Sequence, residues 1–471
     1  MSHNLKIYNT LTGKKEQFEP RKGKKVNFFV CGPTVYDYSH LGHARTYIVF
    51  DAFVKYLRHC GYNVFYLQNI TDIDDKIIMR AREREVPAKD LSAAFLKEYL
   101  KSMKALKVDS VNKYAKATDY MKEIINQIKR LQDKKFAYKI EGDGVYFNIA
   151  MFKDYGKLSG RTTLQAEDAV SRIDYSKDKK NRGDFCLWKL KQESLEPSWK
   201  SPWGQGRPGW HIEDTAITEK FFGPQYDIHG AARDLIFPHH EAEIAQMEAI
   251  SDKKPMAKYW MHGGFLTVNG QKMSKSLNNF ILISDLLKRC PYQQLRFMIV
   301  KNLWQSPMDY SESAMIEVRA ALEKIEEFLR KLKIRNPKSE TNSKFQNSKL
   351  IKQFKNGFYK ALDDNFNTPQ AFATMFDFIK KTNEILEGNL ISNKGSAEIY
   401  KFFQEIDKIF GIINWKKVSR TIPAEIKKLV KERELARKNS DWQKSDGLRA
   451  QIEEKGFSVE DTKSGPAVKS I

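Results

Sequence analysis

Cysteine is scarce in this chain. Its 471 residues include four, Cys31, Cys60, Cys186 and Cys290, widely spaced and with no CxxC pair. That excludes a disulfide framework and fits a reducing, cytoplasmic setting. Long apolar runs are missing too: no stretch approaches the roughly 18–20 residues of a membrane span, so no membrane partner is expected. The opening segment MSHNLKIYNT lacks an apolar signal core, so secretion is not expected either. Acidic residues fall short, 59 Asp and Glu against 81 Lys and Arg, for a formal charge of +22. That surplus favours a polyanionic partner, although lysines spread evenly over a solvated surface would also produce it.

What is present suffices for several domains. Apolar residues make up 41% of the chain, and 471 residues can bury two to four cores. The stretch 26–57, VNFFVCGPTVYDYSHLGHARTYIVFDAFVKYL, organises the rest. Val26 to Val30 reads as a buried strand that Cys31-Gly32-Pro33 must end. Val49, Phe50, Phe53 and Leu57 then recur at helical spacing, with Ser39 as the expected N-cap and Gly61 as the stop. His40-Leu41-Gly42-His43 therefore falls in a first helical turn just past a strand end. In a doubly wound α/β fold that is where free N–H groups and the helix dipole meet phosphate.

The pattern continues with a strand at Val64–Gln68, then Thr71-Asp72, which reads equally well as a helix N-cap, then a helical, charged stretch. From about 136 to 205 the character shifts to short β-like pieces such as GVYFNIAM and charged loops. The α/β pattern resumes at Tyr226-Asp227-Ile228-His229. A strand near Lys258–His262 and a hairpin turning at Asn269-Gly270 lead into Lys272-Met273-Ser274-Lys275-Ser276. Beyond about 312 the spacing is almost all helical, with a polar linker from Asn336 to Ser348. Between Lys331 and Lys360 nine Lys or Arg face one Glu, either a nucleic-acid surface or a solvated helix face. Trp415 and Trp442 are candidates for stacking on bases and equally for core positions.

HLGH after a first strand, with KMSKS about 230 residues later, resembles a class I aminoacyl-tRNA synthetase. The strings CGPTVYDYSHLGHAR, NITDIDDKI, GRPGWHIE, FPHHEAEIAQ and GQKMSKSLNN resemble the cysteinyl-tRNA synthetase family in particular. The resemblance implies an α/β, Rossmann-like nucleotide-binding domain with a connective insertion, followed by an all-helical C-terminal region. Residues 1–135 would form the first half of the catalytic domain, 136–220 the insertion, and 221–311 the second half with its KMSKS loop. Residues 312–414 would form a helical bundle on the tRNA stem side and 415–471 the anticodon-binding region. It also implies a monomer acting on cysteine, ATP with Mg2+, and tRNA(Cys).

By that resemblance His40, His43, Lys272 and Lys275 carry the adenylation chemistry. Gly32, Thr34, Gly42 and His229 join the two histidines and Lys275 around ATP, and Thr71 and Trp210 line the amino-acid pocket. Relatives hold a zinc ion with two cysteines, a histidine and a glutamate. Three ligands map to Cys31, His239 and Glu243, but the fourth position is Asp214. Three arrangements stay open: Asp214 as a ligand, Asp214 beside a three-ligand zinc or holding the substrate ammonium, and a metal-free site. A second departure is Ala231-Ala232 after His229, where relatives often carry glycine; tolerance is expected. Two other readings of the chain are a ligase joining cysteine to an aminosugar and a non-catalytic RNA-binding paralogue.

Overall fold

A computed structural model describes residues 3–161, 176–194, 196–274, 277, 279–334, 347–387, 391–419, 423–462 and 465–470. Lys275 and most of the expected linker lie outside the described residues. The chain opens with a hairpin, β1 (Lys6–Asn9) and β2 (Lys14–Gln17), then enters β3 (Lys25–Val30), α1 (Leu41–His59), β4 (Asn63–Ile70), α2 (Asp75–Glu83), α3 (Ala88–Ala105), β5 (Lys113–Lys116) and α4 (Met121–Asp133). The strands β6 (Ala137–Ile140), β7 (Gly144–Phe147), β8 (Phe185–Leu190) and β9 (Gly206–Pro208) follow. Next come α5 (Trp210–Phe222), β10 (Tyr226–Ala232), α6 (Glu241–Ser251), β11 (Ala257–Gly263), β12 (Leu266–Val268) and β13 (Gln271–Lys272).

Five strands form one parallel sheet in the order β11-β10-β3-β4-β5. Its central strand, β3, is a near-continuous apolar run, as a strand covered on both faces must be. The order reverses around β3, so the crevice above its C-terminal end is the place where such a sheet binds ligands. Strands β6 to β9 form a separate antiparallel sheet in sequence order, inserted between β5 and β10. The hairpin β12–β13 turns on Asn269 and Gly270, with φ of 50° and 75°, the left-handed pair that an Asn-Gly turn supplies.

The chain continues through α7 (Ile283–Arg289), α8 (Tyr292–Val300) and β14 (Met308–Tyr310) into the helices α9 (Glu312–Ile334), α10 (Asn347–Asp363), α11 (Thr368–Glu387), α12 (Asn393–Phe410), α13 (Trp415–Ser419), α14 (Ala424–Lys438) and α15 (Trp442–Glu454). Strands β15 (Phe457–Thr462) and β16 (Gly465–Ser470) pair as an antiparallel hairpin, an addition to the helical pattern read from the sequence. It packs on α15, and Arg433, nearly wholly buried, fixes it through two bonds to Asp461 of 2.8 and 2.9 Å. The two tryptophans separate here. Trp415 is half-buried and donates to Asp407 at 2.6 Å, a packing role, whereas Trp442 is 60% exposed.

One buried ion pair within the catalytic domain lies where that domain meets the helical region. Arg296 on α8 and Asp51 on α1 have no exposed side-chain surface and meet at 2.8 Å. The remaining guanidinium protons go to the carbonyls of Leu106, Lys107 and Phe410. Asp51 also takes Lys55 at 2.8 Å and the amides of Asp109 and Ser110 at 3.1 Å. Burial pushes the Asp51 carboxyl upward, but Arg296 and Lys55 outweigh it and hold it below its ordinary value. Removing one partner leaves an uncompensated buried charge, which costs about 3–5 kcal/mol. Asp51→Ala is expected to lower unfolding free energy by about that amount in urea titrations; a loss below about 1 kcal/mol would remove the pair from the joint.

Candidate active site

Three strand ends build the site. β3 stops at Val30, and Cys31 makes one further sheet bond, N to the Gly230 carbonyl at 3.0 Å. The chain then passes Asn69 so closely that a Cβ on Gly32 would stand 1.7 Å from its carbonyl oxygen. Only glycine fits there, and the Gly32 amide donates to the Asn69 side chain. Thr34 bridges to Thr71 and lines a cleft of about 170 Å³ that also reaches Trp210.

The first turn of α1 is capped by His40 rather than Ser39. Its Nδ1 accepts from the Gly42 amide at 3.1 Å, while its own amide donates to His43 Nδ1 at 3.3 Å. An imidazole at each end of a capping box replaces the usual hydroxyl and carboxylate. The rings stack with centroids 3.9 Å apart. Since both Nδ1 atoms accept, each neutral ring carries its proton on Nε2. Burial, then His40, pushes the His43 imidazole well below its ordinary value, so it acts as a neutral donor. Gly42 is confined: a Cβ would meet the His40 ring at 2.9 Å and Met273 at 3.6 Å.

The segment just after KMSKS returns to this turn. Leu41 N donates to the Ile281 carbonyl at 2.9 Å and Ile283 N to the Ser39 carbonyl at 3.0 Å, and Phe280 packs edge-on to His40. HLGH and KMSKS are therefore neighbours. Lys272 ends β13 and is exposed, with its carbonyl held by Asn279.

A second cluster lies below, at the ends of β3, α5 and α6. One ligand atom each from Cys31, Asp214, His239 and Glu243 lies within 4.8 Å of the others, and all four residues are buried. His239 Nε2 is 3.1 Å from Asp214 Oδ2 and 2.9 Å from Glu243 Oε1. Helical spacing of four puts His239 and Glu243 on one face. Trp210 stacks on His239 at 4.1 Å, and Thr71 Oγ1 donates to Glu213. Here the N-cap of α2 is Asp74, so Thr71 does not cap that helix.

The histidines around Cys31 carry more of this site than the sequence suggested. His229 and His240 each bring Nε2 to 3.2 Å from Cys31 Sγ. His229 Nδ1 is 2.7 Å from the Tyr226 hydroxyl, and His240 Nδ1 is 2.8 Å from His262 Nε2, whose Nδ1 meets Thr10 Oγ1 at 2.8 Å. One consistent direction of donation runs from Thr10 and Tyr226 through the rings to sulfur. His211 meets His239 through the Nδ1 atoms at 2.7 Å. His240, His262, His211 and Glu213 were not singled out from the sequence; the HH and HIE strings flanking assigned residues were the available signal. His229, expected near ATP, is wholly buried beside Cys31 and stacks on Trp260 at 4.3 Å. Ala231 and Ala232 sit in regular register with His262 and Gly263, so their methyl groups leave the strand undistorted.

The electrostatics favour a cation. Cys31, Glu243 and Asp214 crowd together, and burial, then Glu243 and Asp214, pushes the thiol well up. Burial raises Glu243 and His239 counters it; burial opposes charge on His239, but Glu243 and then Asp214 drive it above its ordinary value. Asp214 Oδ1 and Glu243 Oε2 are buried without a hydrogen-bond donor, and Glu243 Oε1 meets His239 Nε2 alone. Orphaned buried acceptors beside a thiol and an imidazole form a donor set that fits zinc. A second set, Cys31, His229, His240 and Glu243, is equally compact and shares Cys31 and Glu243 with the first.

Comparison with known proteins agrees with this geometry. The model of the tRNA synthetases class I (C) catalytic domain matches residues 17–320, the DALR domain 357–414, and the cysteinyl-tRNA ligase anticodon binding domain 419–466. The cysteine–tRNA ligase of Thermococcus gammatolerans is 42% identical, with 99% of each chain covered; that of Thermoplasma volcanium is 44% identical, with 97% of each covered. The fold is shared with Mycobacterium tuberculosis methionyl-tRNA synthetase in complex with methionyl-adenylate, at a TM-score of 0.59, 15% identity, and 82% and 90% coverage of this chain and that one. It is shared also with the LeuRS of an Agrobacterium radiobacter ternary complex, at 0.63, 10% identity and 86% of each chain.

Gly42→Ala tests the packing of the first turn. The added methyl must displace the His40 ring, and ATP–pyrophosphate exchange is expected to fall by about tenfold to a hundredfold, as misplacement by about 1 Å costs; unchanged exchange would show that the turn accommodates it. The HLGH turn bonded to the segment after KMSKS, the Cys31 cluster and the three consecutive domain matches lead to one assignment: the chain belongs to the cysteinyl-tRNA synthetase family.

Proposed function

We propose that this chain activates cysteine with ATP to give cysteinyl-adenylate and pyrophosphate, then passes the cysteinyl group to the terminal ribose of tRNA(Cys), as a cytoplasmic monomer. The observation that carries the reading is the backbone pairing of Ser39–Leu41 with Ile281–Ile283, which unites two phosphate-binding signatures. Attack on the α-phosphorus builds negative charge on the phosphate oxygens, and groups fixed in advance stabilise it best. His40 and His43 supply Nε2–H donors from one helical turn, and the α1 N-terminus adds its dipole. Lys272 and Lys275 close over the triphosphate, which brings its Mg2+. Gly32 and Thr34 border the nucleotide.

Cysteine enters between Thr71 and Trp210. We assign Cys31, Asp214, His239 and Glu243 as the residues that would hold zinc, since aspartate keeps the charge of the cysteine found in relatives. Zinc held there supplies a soft centre that takes thiolate in preference to an alcohol. Fit alone would discriminate cysteine from serine by only about 1–3 kcal/mol. Asp214 is preferred as a ligand over a supporting role because its Oδ1 is buried and unpartnered. Residues 312–414 and 415–471 are assigned to the tRNA stem and anticodon, with exposed Trp442 as the base-stacking residue. The basic helical region favours tRNA over an aminosugar acceptor, and the intact signatures favour an enzyme over a non-catalytic RNA-binding paralogue.

His43→Ala is expected to lower cysteine-dependent ATP–pyrophosphate exchange by about 10²–10³-fold. Absence of exchange in the wild type would overturn the catalytic reading, and charging of an aminosugar instead of tRNA would replace the acceptor. Elemental analysis should find about one zinc per chain at this site, lost or weakened in Asp214→Ala. Zinc bound with full affinity in that variant would put Asp214 outside the ligand set. Cysteine activation by a zinc-free wild type would withdraw the metal assignment.

A further inference from the structure

A second mixed donor cluster lies far from the sheet edge, where the N-terminal segment, the end of α1 and the end of α10 meet. His3, Cys60 and Asp363 each bring one ligand atom within 4.8 Å of the other two. His3 Nδ1 is 3.1 Å from Asp363 Oδ1 and 3.3 Å from Oδ2, and the Tyr56 hydroxyl donates to Oδ1 at 2.6 Å. The His3 and Asp363 side chains are 12% and 16% exposed, and both line a cavity of about 1010 Å³. Cys60 is half-buried and in no disulfide.

We propose that His3, Cys60 and Asp363 form a second binding site for a zinc-class divalent cation, a clamp between the catalytic domain and the helical region. The chemistry selects the ion. Thiolate, imidazole and carboxylate together suit zinc or cobalt, whereas magnesium and calcium require oxygen ligands throughout. Tetrahedral zinc with these ligands spaces them about 3.3–3.8 Å apart, so the trio, already within 4.8 Å, needs only small shifts, His3 and Asp363 parting slightly from 3.1 Å. The open side faces the cavity, which leaves a fourth position to water. Binding removes the Cys60 thiol proton to solvent and replaces the His3–Asp363 hydrogen bond with coordination through the ion. Tyr56 keeps its bond to Asp363 and orients that carboxylate as an outer partner. Three segments distant in sequence are then tied at one point.

Full-length protein with Cys31→Ser isolates this site from the cluster under β3. Titration with cobalt(II) is expected to produce a thiolate-to-cobalt absorption band in the near ultraviolet. The band should disappear in Cys31→Ser/Cys60→Ser and weaken at least tenfold in apparent affinity in Cys31→Ser/His3→Ala, each variant checked for an unchanged circular dichroism spectrum. Zinc should raise the melting temperature of Cys31→Ser by more than that of Cys31→Ser/Cys60→Ser. Elemental analysis should find one zinc fewer in Cys60→Ser than in wild type. No band in Cys31→Ser, a band that survives loss of Cys60, or equal zinc in wild type and Cys60→Ser would each overturn the site and leave a hydrogen-bonded joint.

Discussion

The backbone of Gly32 runs against the carbonyl of Asn69 at a distance no side chain admits, and both halves of the site depend on that approach. It lets the chain leave β3 with Cys31 still in sheet register beside Gly230. It also sends Pro33 and Thr34 toward Thr71 at the end of the neighbouring strand. A wider path would move Cys31 away from His229 and His240 or shift the start of α1. The close contact is affordable because a parallel sheet aligns three strand ends at one edge, so one crossing positions groups from β3, β4 and β10 together.

Below that crossing the problem is charge. A thiol and two carboxylates share one buried volume with a single imidazole between them, an arrangement that a cation or retained protons must balance. The protein supports it from outside. Trp210 and Trp260 cover the rings of His239 and His229, and the chain from Thr10 through His262 and His240 reaches the sulfur. Such support fixes the tautomer and aim of each donor before any ligand arrives.

Much of this was legible in the sequence where one local rule decided it. The β3 run, the forced break at Cys31-Gly32-Pro33 and the Asn269-Gly270 hairpin are single-segment signals. HLGH and KMSKS marked two segments that the fold brings side by side, and the spacing of His239 and Glu243 marked one face of the lower cluster. What the sequence hid depended on contacts between distant segments. His40 rather than Ser39 caps α1 because a ring three residues on can answer it, a pairing outside the usual cap preferences. His229 looked like a nucleotide residue from its neighbours in sequence, yet the register of β10 against β3 turns it to Cys31. The closing hairpin, β15–β16, is short; its Phe457 and Val459 pack on Ile426, Val430 and Ile452, and Arg433 on α14 ties it through Asp461, so it forms through contacts with the preceding helices.

Helix α1 has the dimensions of a lever. Its first turn holds the two histidines, and about 16 Å along its axis Asp51 is bolted through Arg296 to the carbonyl of Phe410, at the end of α12. A tilt of about 5° about that bolt displaces the first turn by roughly 1.4 Å, from the rise per residue alone. Misplacement on the order of 1 Å is enough to change rate a hundredfold. Strain delivered to the helical region at Phe410 is thereby geared onto the two stacked histidines of the first turn.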